Sequence, residues 1–211
     1  MSELYDNTIK TWRNLAEVYH EQFKDLTLYN ESYKAFVSLL NSENPSILEI
    51  GCGPGTVTTW FKKRLPKASI LATDVAPEMI VEAEKHVTGV TFKVLDAREV
   101  HTLQRTFDAV LAGFIIPYLT KEDLEKCIAS ISERMNDNGL LYLSCIEKDY
   151  SESHAQTGST GHTMTVHYYL EEDIQQLFEN HQLQHHSTIR VNYPLPSGES
   201  DTHLILIARK N

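Results

Sequence analysis

Cysteines, long apolar runs and N-terminal basic residues are all scarce in this 211-residue chain. Its three cysteines, Cys52, Cys127 and Cys145, are odd in number and too few for a disulfide framework, so we expect reduced thiols. No apolar stretch approaches the roughly 20 residues that a membrane-spanning helix needs. The first residues, Met-Ser-Glu-Leu-Tyr-Asp, lack the basic region and apolar core of a signal peptide. These absences together predict a cytoplasmic protein without a membrane segment.

Positive charge is also scarce. Nineteen lysines and arginines stand against 29 aspartates and glutamates, which gives a formal net charge of −10. The basic cluster Lys62-Lys63-Arg64 falls in a helical segment and is typical of a solvent-exposed helix face. A chain of this charge repels phosphate backbones and has no general electrostatic affinity for nucleic acid. DNA and RNA are therefore disfavoured as substrates.

Metal-binding patterns are missing as well, although histidine is plentiful. Seven of the ten histidines lie between His154 and His203. None of them forms His-Glu-x-x-His or a cluster supported by carboxylates, which are the arrangements that zinc sites use. We therefore predict structural or surface histidines and no bound metal.

The chain does have a glycine-rich turn directly after an apolar segment. Gly51, Gly53 and Gly55 follow the apolar residues 46–50 at alternate positions, and a helical stretch begins at Thr56. This order predicts a strand, a tight turn and a helix. Glycines at such a crossing allow positive φ and let a nucleotide-type ligand lie against the backbone.

Two acidic residues accompany this turn. Glu49 precedes the first glycine by two residues, where its carboxylate would repel a pyrophosphate but tolerate a sulfonium or an ammonium. Asp74, nineteen residues after Gly55, ends a second apolar run where a ribose-binding acid belongs. The glycine spacing is G-x-G-x-G rather than the G-x-G-x-x-G of dinucleotide-binding proteins. A nucleotide-binding oxidoreductase is therefore the least favoured class of ligand-binding enzyme.

Hydrophobic periodicity along the chain predicts an α/β fold. Residues 6–41 predict two helices, the second with Asn30 as its cap. Strands are then predicted at 46–50, 69–73, 90–95, 107–113 and 139–145, and helices at 56–65, 77–87 and 121–135. A helix near 170–178 and two strands, 184–192 and 203–208, complete the chain. Alternating strands and helices imply a parallel sheet covered on both faces, and the short final link predicts a hairpin with an antiparallel last strand.

Five segments, in order along the chain, resemble the motifs of class I S-adenosylmethionine-dependent methyltransferases. They are Leu48–Gly55, Ala72–Met79, Val94–Ala97, Phe107–Gly113 and Leu124–Leu143, which together cover roughly residues 46–145. The resemblance implies a Rossmann-like, doubly wound sheet of seven strands in a three-layer αβα arrangement, mostly parallel with an antiparallel C-terminal hairpin strand. It also implies a helical cap at 1–45 on a methyltransferase domain at 46–211.

The same resemblance implies that the cofactor is S-adenosylmethionine. Glu49 would hold its ammonium group, and Asp74 would accept hydrogen bonds from the ribose hydroxyls, with capping of the next helix as an alternative. Asp96 would accept from the adenine amino group, with a strand-end turn as its alternative. Val75 and Met79 would sandwich the adenine or simply belong to the core. The implied cofactor-binding residues are Glu49, Gly51, Cys52, Gly53, Gly55, Asp74, Val75, Met79, Asp96, Ala97, Gly113 and Phe114.

The methyl acceptor is less well defined by the sequence. Residues 146–168 are the least periodic stretch and follow the fifth strand on the ligand side of the sheet. We interpret them as a lid or substrate loop, the alternative being an insertion without a role. We expect three aromatic residues to line the substrate pocket: Trp12, Tyr19 and Tyr118. If the acceptor must lose a proton, the candidate bases are Tyr19, His20, His154, His162 and His167, which the sequence does not rank.

These observations predict methyl transfer to a small-molecule acceptor. The segment Gly113–Tyr118 lacks the Asn/Asp-Pro-Pro-Tyr/Phe pattern of enzymes that methylate the exocyclic amines of bases. Two alternatives stay open. One is a protein or RNA methyltransferase that works with a partner, and the other is a non-catalytic protein that binds the cofactor for regulation. The sequence defines neither the acceptor atom nor the oligomeric state.

Overall fold

A seven-stranded sheet forms the centre of the protein. The computed structural model describes residues 3–157, 163–195 and 197–211. The strands of the sheet are β1 (Ser46–Ile50), β2 (Ser69–Asp74), β3 (Thr91–Val94), β4 (Phe107–Ala112), β5 (Met135–Ile146), β8 (Leu183–Pro194) and β9 (Ser200–Lys210). Their order across the sheet is β3-β2-β1-β4-β5-β9-β8. A separate two-stranded sheet pairs β6 (His154–Thr157) with β7 (Thr163–Val166).

Helices connect most of these strands. Within the described residues they are α1 (Glu3–Phe23), α2 (Asn30–Ser38), α3 (Thr56–Arg64), α4 (Pro77–His86), α5 (Lys121–Glu133) and α6 (Glu171–Asn180). Pro77 lies in the first turn of α4, where its missing N–H removes no helical hydrogen bond. Thr120 caps α5 by accepting the Asp123 N–H. None of the described helices has the length and apolar character needed to cross a bilayer.

Strand directions bring the ends of the central strands together. β1 pairs in parallel with β2 and β4, β2 pairs in parallel with β3, and β4 pairs in parallel with β5. β9 runs antiparallel to both β5 and β8. The predicted mostly parallel sheet with an antiparallel final strand is confirmed. Because β1 to β5 run in one direction, their carboxyl ends form one edge of the sheet, where ligands bind in folds of this type.

The two faces of the sheet bury two separate cores. Leu48, Val110 and Leu141 point to one face and pack in a core that includes residues of α5 and α6. Their chain neighbours, such as Ile47 and Leu111, point to the other face and pack in a core that includes residues of α2 and α3. This separation follows from the alternation of side chains along a strand. Helices on both faces give the expected three-layer arrangement.

The segment 146–168 differs from its prediction as a structureless stretch. It contains a 3₁₀ turn at Tyr150–Glu152 and the β6–β7 hairpin. All four residues of β6 are exposed, so the segment has no apolar alternation from which a strand could be predicted. Residues 158–162 lie outside the described part of the chain. The predicted cap of α2 is also wrong, because Tyr29 precedes the helix and makes no side-chain capping bond.

Substituting Gly51 tests the packing of the turn against the residues that follow β4. Gly51 has φ +70°, and a Cβ atom there would lie 1.8 Å from Ile115 Cγ2. We expect Gly51→Ala to destabilise the fold by the cost of a left-handed residue, about 1–2 kcal/mol, together with an overpacking cost of about 1–3 kcal/mol. Urea unfolding of the purified variant measures the sum.

Gly53→Ala is the matched control for this experiment. Gly53 also has positive φ, +53°, but nothing lies within 4 Å of a Cβ atom placed there. This variant therefore carries the free-energy cost of a left-handed residue without a steric clash like the one between position 51 and Ile115. Equal losses of stability in the two variants would show that Ile115 moves aside freely and that the contact does not constrain the turn.

Candidate functional site

The glycine turn between β1 and α3 lies at the carboxyl edge of the sheet. Gly51, Gly53 and Gly55 have φ values of +70°, +53° and +86°. The Cys52 N–H donates to the Thr73 carbonyl at 2.8 Å, which ties the turn to β2. The open space beside Gly53 leaves its backbone accessible to a ligand.

Asp74 joins this turn to the next one. One of its carboxylate oxygens accepts the Gly53 N–H and the other accepts the Ala76 N–H, each at 2.9 Å. Ala76 occupies the cap position of α4, so Asp74 does not cap this helix as its alternative role predicted. Burial raises the pKa of Asp74, and its backbone hydrogen bonds oppose that effect. Its carboxylate is therefore a fixed part of the turn region.

Glu49 is buried near Asp74. The residue is 3% exposed, and Thr58 Oγ1 donates to Glu49 Oε2 at 2.6 Å. Burial raises the pKa of Glu49 to about 8, the Thr58 bond opposes this, and the Asp74 charge adds to it. Among the ion pairs of the described residues, none involves Glu49. Two acids without a cation make this edge suited to a positively charged ligand group.

The residues predicted to hold an adenine lie at the ends of β2 and β3. Asp96 accepts the Arg98 N–H at 2.9 Å and pairs with the Arg98 guanidinium, at the start of a 3₁₀ turn. Its predicted turn role is therefore present, and its adenine role stays a prediction. Met79 is buried in a small core that packs against α1, whereas Val75 and Ala97 are half-buried.

Gly113 and Phe114 follow β4 at the same edge. Phe114 has a φ of +56°, which is uncommon for a residue other than glycine, and its N–H donates to Ser144 Oγ at 2.9 Å. Nothing lies within 4 Å of a Cβ atom placed at Gly113. A residue held in a sparsely populated conformation beside an open backbone is the type of arrangement that functional sites use.

The three aromatic residues expected at the substrate pocket come together. The Trp12 ring contacts the rings of Tyr19 and Tyr118 edge-on, with both centroid distances at 5.3 Å. Burial raises the pKa of Tyr19 to about 12, and the nearby Tyr193 and Asp74 add to this effect. Burial also raises the pKa of Tyr118. Both phenols are neutral at physiological pH, so Tyr19 suits hydrogen bonding better than it suits proton abstraction.

The histidine candidates occupy different environments. His167 is 7% exposed, and neither ring nitrogen has a hydrogen-bond partner among the described residues. Its ring stacks on Tyr150 at 5.5 Å, and burial lowers its pKa. His154 is exposed on β6, and His20 stacks on a histidine of α4. His162 lies outside the described residues.

Metal and thiol chemistry find little support in the described residues. No group of three or more histidines, cysteines, aspartates and glutamates in that part of the chain could hold a metal ion. Cys52 is buried in the glycine turn, and burial raises the pKa of its thiol well above the ordinary value. A protonated, buried thiol is unreactive, so Cys52 serves as a small residue that fits the turn.

The sequence analysis missed three further residues at this edge. Tyr29 Oη and His203 Nδ1 are 2.6 Å apart although 174 positions separate them, and the Tyr193 ring stacks on His203 at 4.7 Å. His203 had been grouped with the structural histidines. The predicted hairpin could have indicated the position of His203, because an antiparallel last strand begins beside the end of β5.

Comparison with known proteins finds relatives over the part of the chain that contains this site. A sequence profile of the family described as "Methyltransferase domain" matches residues 47–139, which include Glu49, Asp74 and Asp96. These residues make up a little under half of the chain, and over them the chain is similar to this family. The matched segment contains the glycine turn, Asp74 at the end of β2 and Asp96 after β3.

Several curated proteins that this chain resembles have assigned activities. It is 29% identical over 133 residues to a malonyl-[acyl-carrier protein] O-methyltransferase of Bacillus cereus, which covers 62% of this chain and 46% of the relative. It is 36% identical over 73 residues to a trans-aconitate 2-methyltransferase of Methylobacterium nodulans, covering 35% of this chain and 28% of the relative. The chain therefore spans about half the length, or less, of these curated relatives.

A solved structure extends the similarity over the whole fold. The 1,6-didemethyltoxoflavin-N1-methyltransferase of Burkholderia thailandensis, with bound 1,6-didemethyltoxoflavin and S-adenosylhomocysteine, superposes with a TM-score of 0.75. The match covers 100% of this chain and 92% of that chain at 16% identity. At this identity the comparison shows a shared fold.

Glu49 predicts an unusual dependence of stability on pH in this chain. Its folded pKa of about 8 lies above the ordinary value of 4.5, so between these pH values the folded chain holds a proton that the unfolded chain has lost. This group's contribution to the free energy of unfolding therefore falls as the pH rises through that window. We expect Glu49→Gln to melt at a higher temperature than the native chain at about pH 8.5, with a gap that narrows toward about pH 5.

Glu82→Gln provides a control with the opposite sign. Hydrogen bonds from Lys85 and His86 lower the pKa of Glu82, so its carboxylate stabilises the fold at neutral and alkaline pH. This variant should melt at a lower temperature than the native chain at the same alkaline pH. A Glu49→Gln variant that is also less stable there would mean that the native fold neutralises Glu49 in some other way.

Proposed function

We propose that this protein transfers a methyl group from S-adenosylmethionine to a small-molecule acceptor. The observation that carries the proposal is the convergence of Glu49, Gly53 and Asp74 at the carboxyl ends of β1 and β2. A buried acid without a cation, an open glycine backbone and a fixed carboxylate match an ammonium, an amino-acid chain and a ribose. An enzyme that binds dinucleotides would bring a pyrophosphate against Glu49, which is electrostatically unfavourable.

Different residues of the chain contact different parts of the cofactor in this proposal. Glu49 binds the ammonium, Asp74 accepts from the ribose hydroxyls, and Asp96 accepts from the adenine amino group while retaining Arg98. The open backbone at Gly53 and Gly113 gives the cofactor room to approach both strand ends. The remaining contacts come from Gly51, Cys52, Gly55, Val75, Met79, Ala97 and Phe114. When bound, the cofactor supplies an electrophilic methyl group on a sulfonium.

The helix α1 and the β6–β7 hairpin cover the reaction site in this proposal. Trp12 and Tyr19 pack from α1 against the small core that contains Met79, and α1 also contacts β7. This arrangement supports the role of residues 1–45 as a cap and of 146–168 as a lid. Their task is to exclude water and hold the acceptor in line with the methyl group, which accounts for much of the rate in such displacements.

His167 is the residue that we propose as proton acceptor if the acceptor must lose a proton. Its backbone N–H donates to the Pro117 carbonyl at 2.7 Å, which places it beside Tyr118. Two unpaired, buried ring nitrogens cost stability unless a ligand engages them. A neutral imidazole with a lowered pKa is free to accept a proton.

A small acceptor is favoured over RNA or a protein partner by the charge of the chain. The net charge of −10 gives no attraction for RNA, and the aromatic residues at the site offer no charged groups for a peptide. The cytoplasm is the compartment that this proposal assigns, in keeping with three unpaired, buried cysteines.

Calorimetry tests the cofactor, and Asp74→Asn tests its ribose contact. We expect the native chain to bind S-adenosylhomocysteine and S-adenosylmethionine but not NAD. Asn at position 74 retains an acceptor oxygen for one backbone N–H but loses the charge-assisted bonds to ribose. Affinity should therefore fall by roughly 1.5–3 kcal/mol, which is about ten- to a hundredfold.

Asp108→Asn is the matched control for the Asp74 substitution. The Asp108 carboxylate accepts hydrogen bonds from Ser46 and Asn136 at the opposite edge of the sheet. This variant should lose stability without losing cofactor affinity. NAD binding by the native chain, or unchanged affinity in Asp74→Asn together with a lower melting temperature, would contradict the proposed site.

Hydrogen exchange tests the cap and lid. We expect the amides of α1 and of β6 and β7 to exchange more slowly when S-adenosylhomocysteine is bound, because closure over the site protects them. The turn 51–55 should gain protection in the same experiment, and α6 serves as an internal reference. Protection confined to the turn would show that the acceptor enters from another side.

A further inference from the structure

A histidine with an ordered partner lies at the acceptor side of the site. His203 is 7% exposed, and its Nδ1 lies 2.6 Å from Tyr29 Oη. The Tyr193 ring stacks on the imidazole with centroids 4.7 Å apart and planes 11° apart, and the Phe114 ring lies at 4.8 Å. Three aromatic side chains therefore fix both the position and the plane of this imidazole.

The strand register places His203 at the ligand edge of the sheet. His203 pairs with Ile146, the last residue of β5, because β9 runs antiparallel to β5. Phe114, which contacts the imidazole, directly follows Gly113 at the end of β4. Gly113 is one of the residues that the family resemblance assigns to the cofactor.

Tyr19 links this cluster to the cofactor residues. The pKa of Tyr19 is raised by burial and further by both Tyr193 and Asp74, so its phenol lies within electrostatic range of each. Tyr193 in turn stacks on His203. Asp74 and Tyr193 therefore both lie near Tyr19, and Tyr193 lies against His203.

The hydrogen bond to Tyr29 defines which nitrogen of His203 carries the proton. Burial raises the pKa of Tyr29 and lowers the pKa of His203 to about 4, so both groups are neutral at physiological pH. A buried phenol donates its proton, and among the described residues His203 Nδ1 is the partner found for Tyr29. Nδ1 is then the acceptor, and the proton of the neutral imidazole lies on Nε2.

We propose that His203, oriented by Tyr29, is the group that recognises the methyl acceptor, by donating from Nε2 to an oxygen or ring nitrogen of a neutral, planar molecule. The inference rests on the proposed methyltransferase function and names the acceptor class for that same site. The flat surfaces of Tyr19, Phe114 and Tyr193 suit a stacked ring. A carboxylate would meet neutral phenols, a neutral imidazole and the negative charge of Asp201, which is already paired with Lys148 at 2.7 Å. It would therefore lack the cationic partner that a buried anion needs.

A matched pair of probes tests this assignment with the full chain loaded with S-adenosylhomocysteine. Quinolin-4-ol is neutral and planar, and quinoline-4-carboxylate has the same rings with an anionic group. We expect quinolin-4-ol to shift the Nε2 resonance of His203 saturably in long-range proton–nitrogen NMR spectra of ¹⁵N-histidine-labelled protein. By calorimetry the carboxylate should bind at least about tenfold more weakly.

Two tyrosine variants separate recognition from packing. Tyr29→Phe removes the phenol that donates to Nδ1, so His203 should no longer prefer the tautomer that is protonated on Nε2. Binding of quinolin-4-ol should weaken about fivefold or more, while the affinity for S-adenosylhomocysteine stays unchanged. Tyr142→Phe is the control, because it removes a similar buried hydrogen bond, to Ser32 Oγ at 2.9 Å, in the same aromatic region. The Tyr142→Phe variant should be less stable than the native chain but should bind quinolin-4-ol with unchanged affinity.

The outcomes distinguish this inference from the proposed function. A native chain that does not bind S-adenosylhomocysteine would overturn the proposed function itself. Three outcomes would overturn the role of His203 alone, provided that the cofactor still binds normally. They are a chain that does not bind quinolin-4-ol, a chain that binds the carboxylate equally well, and equal effects of the two tyrosine variants on binding.

Discussion

The carboxylate of Asp74 is the interaction on which the site depends. It accepts one backbone N–H from the glycine turn after β1 and another from the turn before α4. It thereby holds these two loops together at the edge of the sheet, next to the bond from the Cys52 N–H to Thr73. The same side chain that organises the loops is the one proposed to bind ribose, so the binding geometry is built into the folded backbone before any ligand arrives.

Stability and ligand binding make opposite demands on this edge. Glu49 is buried close to Asp74, and burial together with that second carboxylate raises its pKa to about 8. An apolar or amide side chain at position 49 would be less costly to bury. An acid at position 49 makes sense if a cationic ligand binds there, since the ligand favours the ionised form and releases the proton that the empty site holds at neutral pH. The site is therefore less stable empty than the fold would allow.

Much of the fold follows from local sequence, and so does the position of the residues proposed to bind the cofactor. The strands β1 and β2 end where their apolar runs end, and Asp74 lies where the spacing from Gly55 predicts it. The β6–β7 hairpin was missed because its residues are polar and exposed, so no hydrophobic face marks a strand. The pairing of Tyr29 with His203 was missed because a contact across 174 positions has no local signature. Asp96 illustrates an intermediate case, since its position follows from the sequence but its partner Arg98 does not.

The antiparallel direction of β9 separates the site into two parts with different origins in the chain. The residues proposed to hold the cofactor form a contiguous central block from Glu49 to Phe114. Among the residues proposed to contact the acceptor, Trp12 and Tyr29 precede that block, and Tyr193 and His203 follow it on the paired strands β8 and β9. Insertions or exchanges at the two ends of the chain can therefore alter the acceptor while the central block stays intact. Such a division gives this architecture a simple route to new substrates by recombination of its ends.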